Sequence, residues 1–267
     1  MSLRLLEWKD FLKESQASAL TIGVFDALHL GHIRLIETVL EKGLNPTVLT
    51  FRENPKKLMS PKNFEGDIYS LRQKLSIFAK TGLSRLVLID FSAEFGRISG
   101  RGFLDLLVNP GKMVFLAVGS NFTCGYKKDT NSKLIVEINR EKGIPTELIK
   151  PVMLNGELVS SSRIRKAILC GDFKQAELLT GRKLELDLEG INADFYDPSK
   201  LKAMHKAEIN ALFPYGGYCY DLEGVKRVSP REGMYGLFAN NKKTHAYFNK
   251  GKLLLPQKAE SIEYIGV

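Results

Sequence analysis

The 267 residues are 44% hydrophobic and 26% charged, the balance of a globular chain with room for two moderate domains, or a large one and a smaller one. No apolar run approaches the roughly 18–20 residues of a membrane span, the first ten residues scatter charges where a secretory signal keeps an apolar core, and three widely spaced cysteines form neither a disulfide framework nor a Cys-x-x-Cys metal site. A net charge of +9 favours polyanionic partners, nucleotides as well as nucleic acids, but the basic residues lie without dense runs or interleaved aromatics, so neither nucleic-acid nor membrane binding is expected, and the few cysteines fit a reducing cytoplasm.

The first strand candidate, residues 17–22, runs into Gly23-Val24-Phe25-Asp26-Ala27-Leu28-His29-Leu30-Gly31-His32. Beyond it Ile33, Leu35, Ile36, Val39 and Leu40 recur at helical spacing and stop at Gly43. A strand, a tight glycine-containing turn and a helix aim backbone N–H groups and the positive end of a helix dipole at one point, which suits a phosphate. Two of the four histidines, His29 and His32, face that point. A metal site, for which only Asp26 is near enough to be a third ligand, and a plain loop are the competing readings.

Strands are expected over 47–51, 85–89 and 113–118, and a last extended segment over 145–153; helices are expected over 71–80, 99–108 and 131–142. This alternation predicts a parallel sheet covered on both faces. Ligands then sit outside the carboxyl ends of the strands, an edge shared by the histidine turn, the Asn54-Pro55 loop and the loop after Gly119. No P-loop occurs, and no Gly-x-Gly-x-x-Gly follows a strand. Phosphate handling therefore rests on the histidine turn and on Ser160-Ser161-Ser162-Arg163-Ile164-Arg165, where hydroxyls, helical N–H groups and a guanidinium could grip a di- or triphosphate. Capping by Ser161 or Ser162 beside solvated arginines is the alternative there. From about residue 183 the pattern changes to short alternating strands, over 184–190, 217–220, 234–238, 244–248 and 252–255, with one helix over 200–212. A small antiparallel β domain follows from that spacing.

Gly-x-Phe-Asp-x-x-His-x-Gly-His at 23–32, Ser-Ser-Ser-x-Ile-Arg at 160–165, Gly171-Asp172-Phe173 and Leu178-Leu179-Thr180-Gly181-Arg182 resemble the motifs of the bacterial FAD synthetases, the bifunctional riboflavin kinase/FMN adenylyltransferases. The resemblance covers about residues 17–182. It implies an α/β nucleotidylyltransferase domain with a Rossmann-like parallel sheet over 1–183, followed by a divergent riboflavin-kinase-like β domain over 184–267. It implies transfer of AMP from ATP, entering with Mg²⁺, to FMN, giving FAD and pyrophosphate. The same resemblance gives His29 and His32 the catalytic role and assigns Gly23, Phe25, Asp26, Gly31, Ser161, Ser162 and Arg165 to ATP. Asn54, Asn121 and Phe122 fall to the flavin, and no side chain is assigned to metal. Two departures stand out: Cys124 replaces an aromatic of the flavin-side loop Gly119–Gly125, and Asn54 stands where the family has the histidine of a His-Pro pair. The kinase's Pro-Thr-Ala-Asn is also missing, because Pro198, Pro214, Pro230 and Pro256 precede Ser199, Tyr215, Arg231 and Gln257. Riboflavin kinase activity is accordingly expected to be absent. An adenylyltransferase or cytidylyltransferase acting on another phosphate ester, and a non-catalytic flavin- or nucleotide-binding homologue, are the alternatives.

Overall fold

A computed structural model describes residues 3–196, 213 and 217–265. By contact the chain divides into two units: Met1–Phe64 with Leu71–Val159, and Glu65–Ser70 with Ser160–Val267. Residues 160–182, grouped with the α/β domain in the sequence reading, thus fall by contact with the β-rich unit.

The first unit is built on six strands: β1 (Arg4–Glu7), β2 (Ser18–Ile22), β3 (Thr47–Phe51), β4 (Arg85–Ile89), β5 (Met113–Gly119) and β6 (Thr146–Ile149). They pair in the order β1-β4-β3-β2-β5-β6, every pair parallel. Helices α1 (Leu30–Lys42), α2 (Leu71–Ala79), α3 (Gly100–Val108) and α4 (Ser132–Glu141) connect them. All five residues of β2 and of β4 are buried, as strands covered on both faces must be. On one face Ala19, Val48, Leu86 and Ala117 pack with Leu35, Ile36 and Val39 of α1 and Phe78 of α2. On the other, Leu20, Leu49, Val87 and Leu116 pack with Phe103, Leu104 and Leu107 of α3 and Ile135 and Ile138 of α4. The chain winds outward one way from β2 to β3 and β4, then returns to lay β5 on the other side of β2. The order therefore reverses between β2 and β5, where the loops beyond the strand ends diverge and leave a crevice.

β1 escaped the sequence reading because of its four residues only Leu6 is buried, too little apolar signal for a pattern to show. The helices expected over 71–80, 99–108 and 131–142 hold to within one residue at each end.

The second unit contains α5 (Ser161–Leu169) and α6 (Phe173–Thr180), then β7 (Glu185–Asp187), β8 (Ala193–Tyr196), β9 (Gly217–Asp221), β10 (Gly233–Ala239), β11 (Lys242–Asn249), β12 (Lys252–Leu255) and β13 (Ser261–Tyr264). The strands form one antiparallel sheet in the order β7-β13-β10-β11-β12-β9-β8. Phe173 of α6 stacks on Tyr264 at 4.2 Å between ring centroids, and Arg231 donates its N–H to the Leu169 carbonyl, contacts that seat α5 and α6 on the sheet. The segment Glu65–Ser70 joins it as well. Asp67 N–H donates to Lys226 O at 2.8 Å, Val228 N–H donates to Asp67 O at 3.1 Å, and the Ser70 hydroxyl donates to Asp187. The helix expected over 200–212, the Pro198-Ser199 pair and the Pro214-Tyr215 pair lie outside the described residues. Among the described residues no helix is long and apolar enough to cross a membrane.

Candidate active site

Between β2 and α1 two non-glycine residues hold left-handed backbone, Phe25 at φ 51° and Leu28 at φ 45°. Such conformations cost on the order of 1–3 kcal/mol each. Both side chains are fully buried, and burying a Phe or Leu contributes roughly 1.5–3 kcal/mol, enough to offset the strain where it arises. The Phe25 ring packs between His32 and Phe78, 4.9 and 5.7 Å between centroids. A Cβ on Gly23 would come within 3.1 Å of that ring, so the glycine lets it lie against the backbone.

His29 is the N-cap of α1, its Nδ1 accepting the His32 N–H at 3.3 Å. A neutral imidazole that accepts at Nδ1 carries its proton on Nε2, so this bond makes His29 an N–H donor beyond the cap. The His32 ring stacks on it with centroids 3.7 Å and planes 15° apart. Both imidazoles thus stand side by side at the positive end of a 13-residue helix. Gly31 keeps them there, since a Cβ would lie 3.2 Å from Nδ1 and Cε1 of His29. Asp26 is buried within the turn, 6% exposed. Beneath it Thr50 Oγ1 donates to Val24 O at 3.1 Å. The buried Lys74 ammonium donates to Val24 O and Phe51 O, each at 3.4 Å, tying the ends of β2 and β3 together.

A pocket of about 260 Å³ opens beside the turn, with Gly23 and Val24 in its wall. Phe51, Phe91, Phe95, Phe103 and Phe122 line it. Phe91 lies 5.8 Å from both Phe51 and Phe95 in edge-to-face contact, a geometry that leaves ring faces for a flat ligand. Cys124 completes the wall. Burial, with Asp129 adding to it, pushes its thiol up to about 12, so it serves as a small neutral surface.

The strand–turn–helix, its histidine pair and the aromatic pocket together narrow the family, and the FAD synthetase family model matches residues 12–163, more than half of the chain. The chain belongs to the FAD synthetase family. The bifunctional riboflavin kinase/FMN adenylyltransferase of Buchnera aphidicola subsp. Acyrthosiphon pisum is 28% identical over 170 residues, 62% of this chain and 54% of that protein. That of Escherichia coli K12 is 27% identical over 184 residues, 67% of this chain and 59% of its own length. The chain therefore spans little more than half the length of these relatives. Among solved structures, a Streptococcus pneumoniae protein described as a macrolide-efflux protein superposes with a TM-score of 0.71 at 20% identity, over 98% of this chain and 88% of that one. The likeness is one of fold.

The sites expected from sequence distribute unevenly. Gly23, Phe25, Asp26, His29, Gly31 and His32 form the turn just described. Phe122 lines the pocket, whereas Asn54 and Asn121 are not among its lining residues. Asn54 instead closes a local turn, its Oδ1 accepting the Lys56 N–H at 3.1 Å, and Pro55 reaches the pocket in its place. In the second unit the cap of α5 is Ser160, whose hydroxyl accepts the Arg163 N–H at 3.2 Å. Ser161 and Ser162 are the first two helical residues. Arg165 is buried rather than solvated, its Nη2 donating to Gly66 O at 2.8 Å. Sequence reading passed over Phe91, Phe95 and Lys74. Phe91 and Phe95 could have been noticed, as two aromatics four residues apart directly after a strand on the ligand edge. Among the described residues no group of three or more His, Cys, Asp or Glu could hold a metal ion.

Proposed function

We propose that the chain is an FMN adenylyltransferase: an oxygen of the FMN phosphate attacks the α-phosphorus of ATP, the Pα–O–Pβ bond breaks, and FAD and pyrophosphate form. The observation that carries this reading is one edge of the sheet holding both a strand–turn–helix with two stacked imidazoles at the helix N-terminus and, against the same turn, an aromatic pocket. A phosphate monoester with its second pKa near 6 is mostly dianionic at neutral pH and needs no strong base. What the chemistry asks of the protein is positioning and stabilisation of charge on the phosphoryl oxygens. In this reading the His29 Nε2–H and the His32 ring supply the second and the turn around Gly23, Phe25, Asp26 and Gly31 receives the ATP phosphates. Ser161, Ser162 and Arg165 are assigned to the departing pyrophosphate. Mg²⁺ enters on the ATP phosphates as part of the substrate.

The reading extends to the second unit, which is proposed not to phosphorylate riboflavin, for want of the Pro-Thr-Ala-Asn sequence. A reducing, cytoplasmic setting is proposed too, supported by three free cysteines. The test is to incubate the purified chain with ATP and Mg²⁺ and either FMN or riboflavin, following flavins by chromatography and pyrophosphate by a coupled assay. FAD and pyrophosphate from FMN, with riboflavin unchanged, is the expected result. ATP cleavage only with a different phosphate ester would replace FMN as the acceptor. FMN made from riboflavin would restore the kinase.

A further inference from the structure

We propose that Lys74, together with Thr50, is a positioning residue of the transfer reaction, holding the peptide between Val24 and Phe25 so that the Phe25 ring stays against His32. The inference rests on the reading of the histidine turn as the centre of adenylyl transfer. A lysine is almost never buried without fixed partners, and Lys74 in α2 is 6% exposed. Backbone pairing of β2 with β3 runs out where Gly23 N–H donates to Leu49 O at 3.1 Å. Beyond it the Val24 carbonyl is held by side chains, accepting from Thr50 Oγ1 at 3.1 Å and from the Lys74 ammonium at 3.4 Å. The same ammonium donates to Phe51 O at 3.4 Å, so it bridges the two strands as they part.

What these bonds fix is a torsion. The Val24 carbonyl lies in the same rigid plane as the Phe25 nitrogen, so the direction of the carbonyl sets φ of Phe25, the residue held at 51°. Turning that plane over would return Phe25 to the negative φ that a side chain prefers. Strained backbone of this kind persists only where its surroundings fix it, and here two donors on one oxygen oppose the reversal. Lys74 also stands one helical turn before Phe78, on the same face of α2. Phe78 meets the Phe25 ring edge-to-face at 5.7 Å between centroids. One helix therefore holds Phe25 twice, its incoming peptide by the ammonium and its ring by an aromatic. From Phe25 the contacts run to His32 at 4.9 Å, and from His32 to His29 at 3.7 Å. Lys74 reaches the chemistry through this stack, by keeping the imidazoles where the phosphoryl oxygens need them.

The experiment joins steady-state kinetics of FAD formation from FMN and ATP with proton NMR of the His32 ring in the full chain. The His32 signal is assigned by its loss in His32→Asn, and the neighbouring rings displace it from the position of an exposed histidine. Lys74→Met keeps the stem and removes the ammonium. It should lower kcat per folded molecule about 10–100-fold, with KM for ATP and for FMN within about twofold of wild type. The His32 signal should move toward the exposed position. Thr50→Val, which removes only the hydroxyl, should shift both readouts in the same direction by less. Lys74→Arg, which keeps a cation and its donors, should stay within about threefold of wild type in kcat and leave the signal in place. Wild-type kcat in Lys74→Met overturns the proposal, as does a loss of kcat with the His32 signal unmoved, or a rise in KM for FMN alone. Should Lys74→Met not fold, Thr50→Val decides, and wild-type kcat and signal in it overturn the proposal. A wild-type chain that makes no FAD overturns the adenylyl-transfer reading and the positioning role with it, whereas an active wild type with undiminished variants removes only the role of Lys74.

Discussion

At the scale of the residue, His29 does two things that substitution can separate. Its Nδ1 caps α1, and its ring presents the Nε2–H. Asparagine is among the best N-caps, so His29→Asn should leave Tm within the narrow range of a surface change. Turnover should fall about 10²–10³-fold, the loss typical of removing one transition-state donor. His29→Ala should forfeit about 1 kcal/mol of stability besides. Calorimetry beside a pyrophosphate assay checks both, and a fully active Asn variant would remove His29 from the chemistry. Gly31→Ala should separate the same two quantities. Alanine is preferred over glycine in helices by roughly 0.5–1 kcal/mol, yet its Cβ would meet the His29 ring at 3.2 Å and displace it. Tm should stay about level, the helix gain offsetting the weakened cap, while turnover drops about tenfold or more. These residues were legible in the sequence because ten consecutive positions carry them. Lys74 was not, since only the winding of the chain brings positions 24, 51 and 74 to one end of one sheet.

At the scale of the element, the strands and helices were legible wherever a buried face repeats. Residues 47–51, 85–89 and 252–255 fall on β3, β4 and β12 without displacement. Both faces of β3 and β4 are covered, and each carries a contiguous apolar stretch, Val48-Leu49 in β3 between two buried threonines and Leu86–Ile89 in β4 after the buried Arg85. β1, β8 and β13 escaped for the opposite reason. Polar positions interrupt each of them, and their place is set by partners far off in sequence: Leu6 opposite Val87, Asp194 opposite Cys219, Ile262 opposite Leu186 and Ala239. The arginine of α5 shows what an element's surroundings add. Read from sequence as a ligand contact or a solvated charge, Arg165 is 7% exposed and bonded to the Gly66 carbonyl. An ammonium can keep one such bond but not the planar fork. Arg165→Lys should therefore lower stability by about 1–3 kcal/mol in urea unfolding and weaken ATP binding in calorimetric titration. Unchanged stability would show that a lysine ammonium replaces the buried guanidinium at this position.

At the scale of the whole molecule, several buried acids set its response to base. Burial pushes the Cys124 thiol up to about 12, and it drives Tyr247 and Tyr264 further up. In the unfolded chain these groups ionise in their ordinary range, about 8.5 for a thiol and about 10 for a phenol. Above that range the native state holds more protons than the unfolded state, so stability falls as pH rises. Tm should be level to about pH 8 and decline steadily beyond about pH 9, and Cys124→Ala should flatten the first part of that decline. A Tm that stays level to about pH 11 would show these groups ionising freely in the fold. The six residues Glu65–Ser70 raise a different matter, for they belong by contact to a unit whose other members begin at Ser160. On the ribosome they emerge long before the partners that pair with them, Asp187 and the backbone of Lys226 and Val228. At about 5–20 residues per second, that leaves their hydrogen-bonding groups waiting for on the order of ten seconds. The β-rich unit is thus closed by a piece of chain synthesised first and used last. Expressed alone from Ser160, it would lack its strap, and a circular permutant that joins the strap to the later strands would be the form able to fold without the rest.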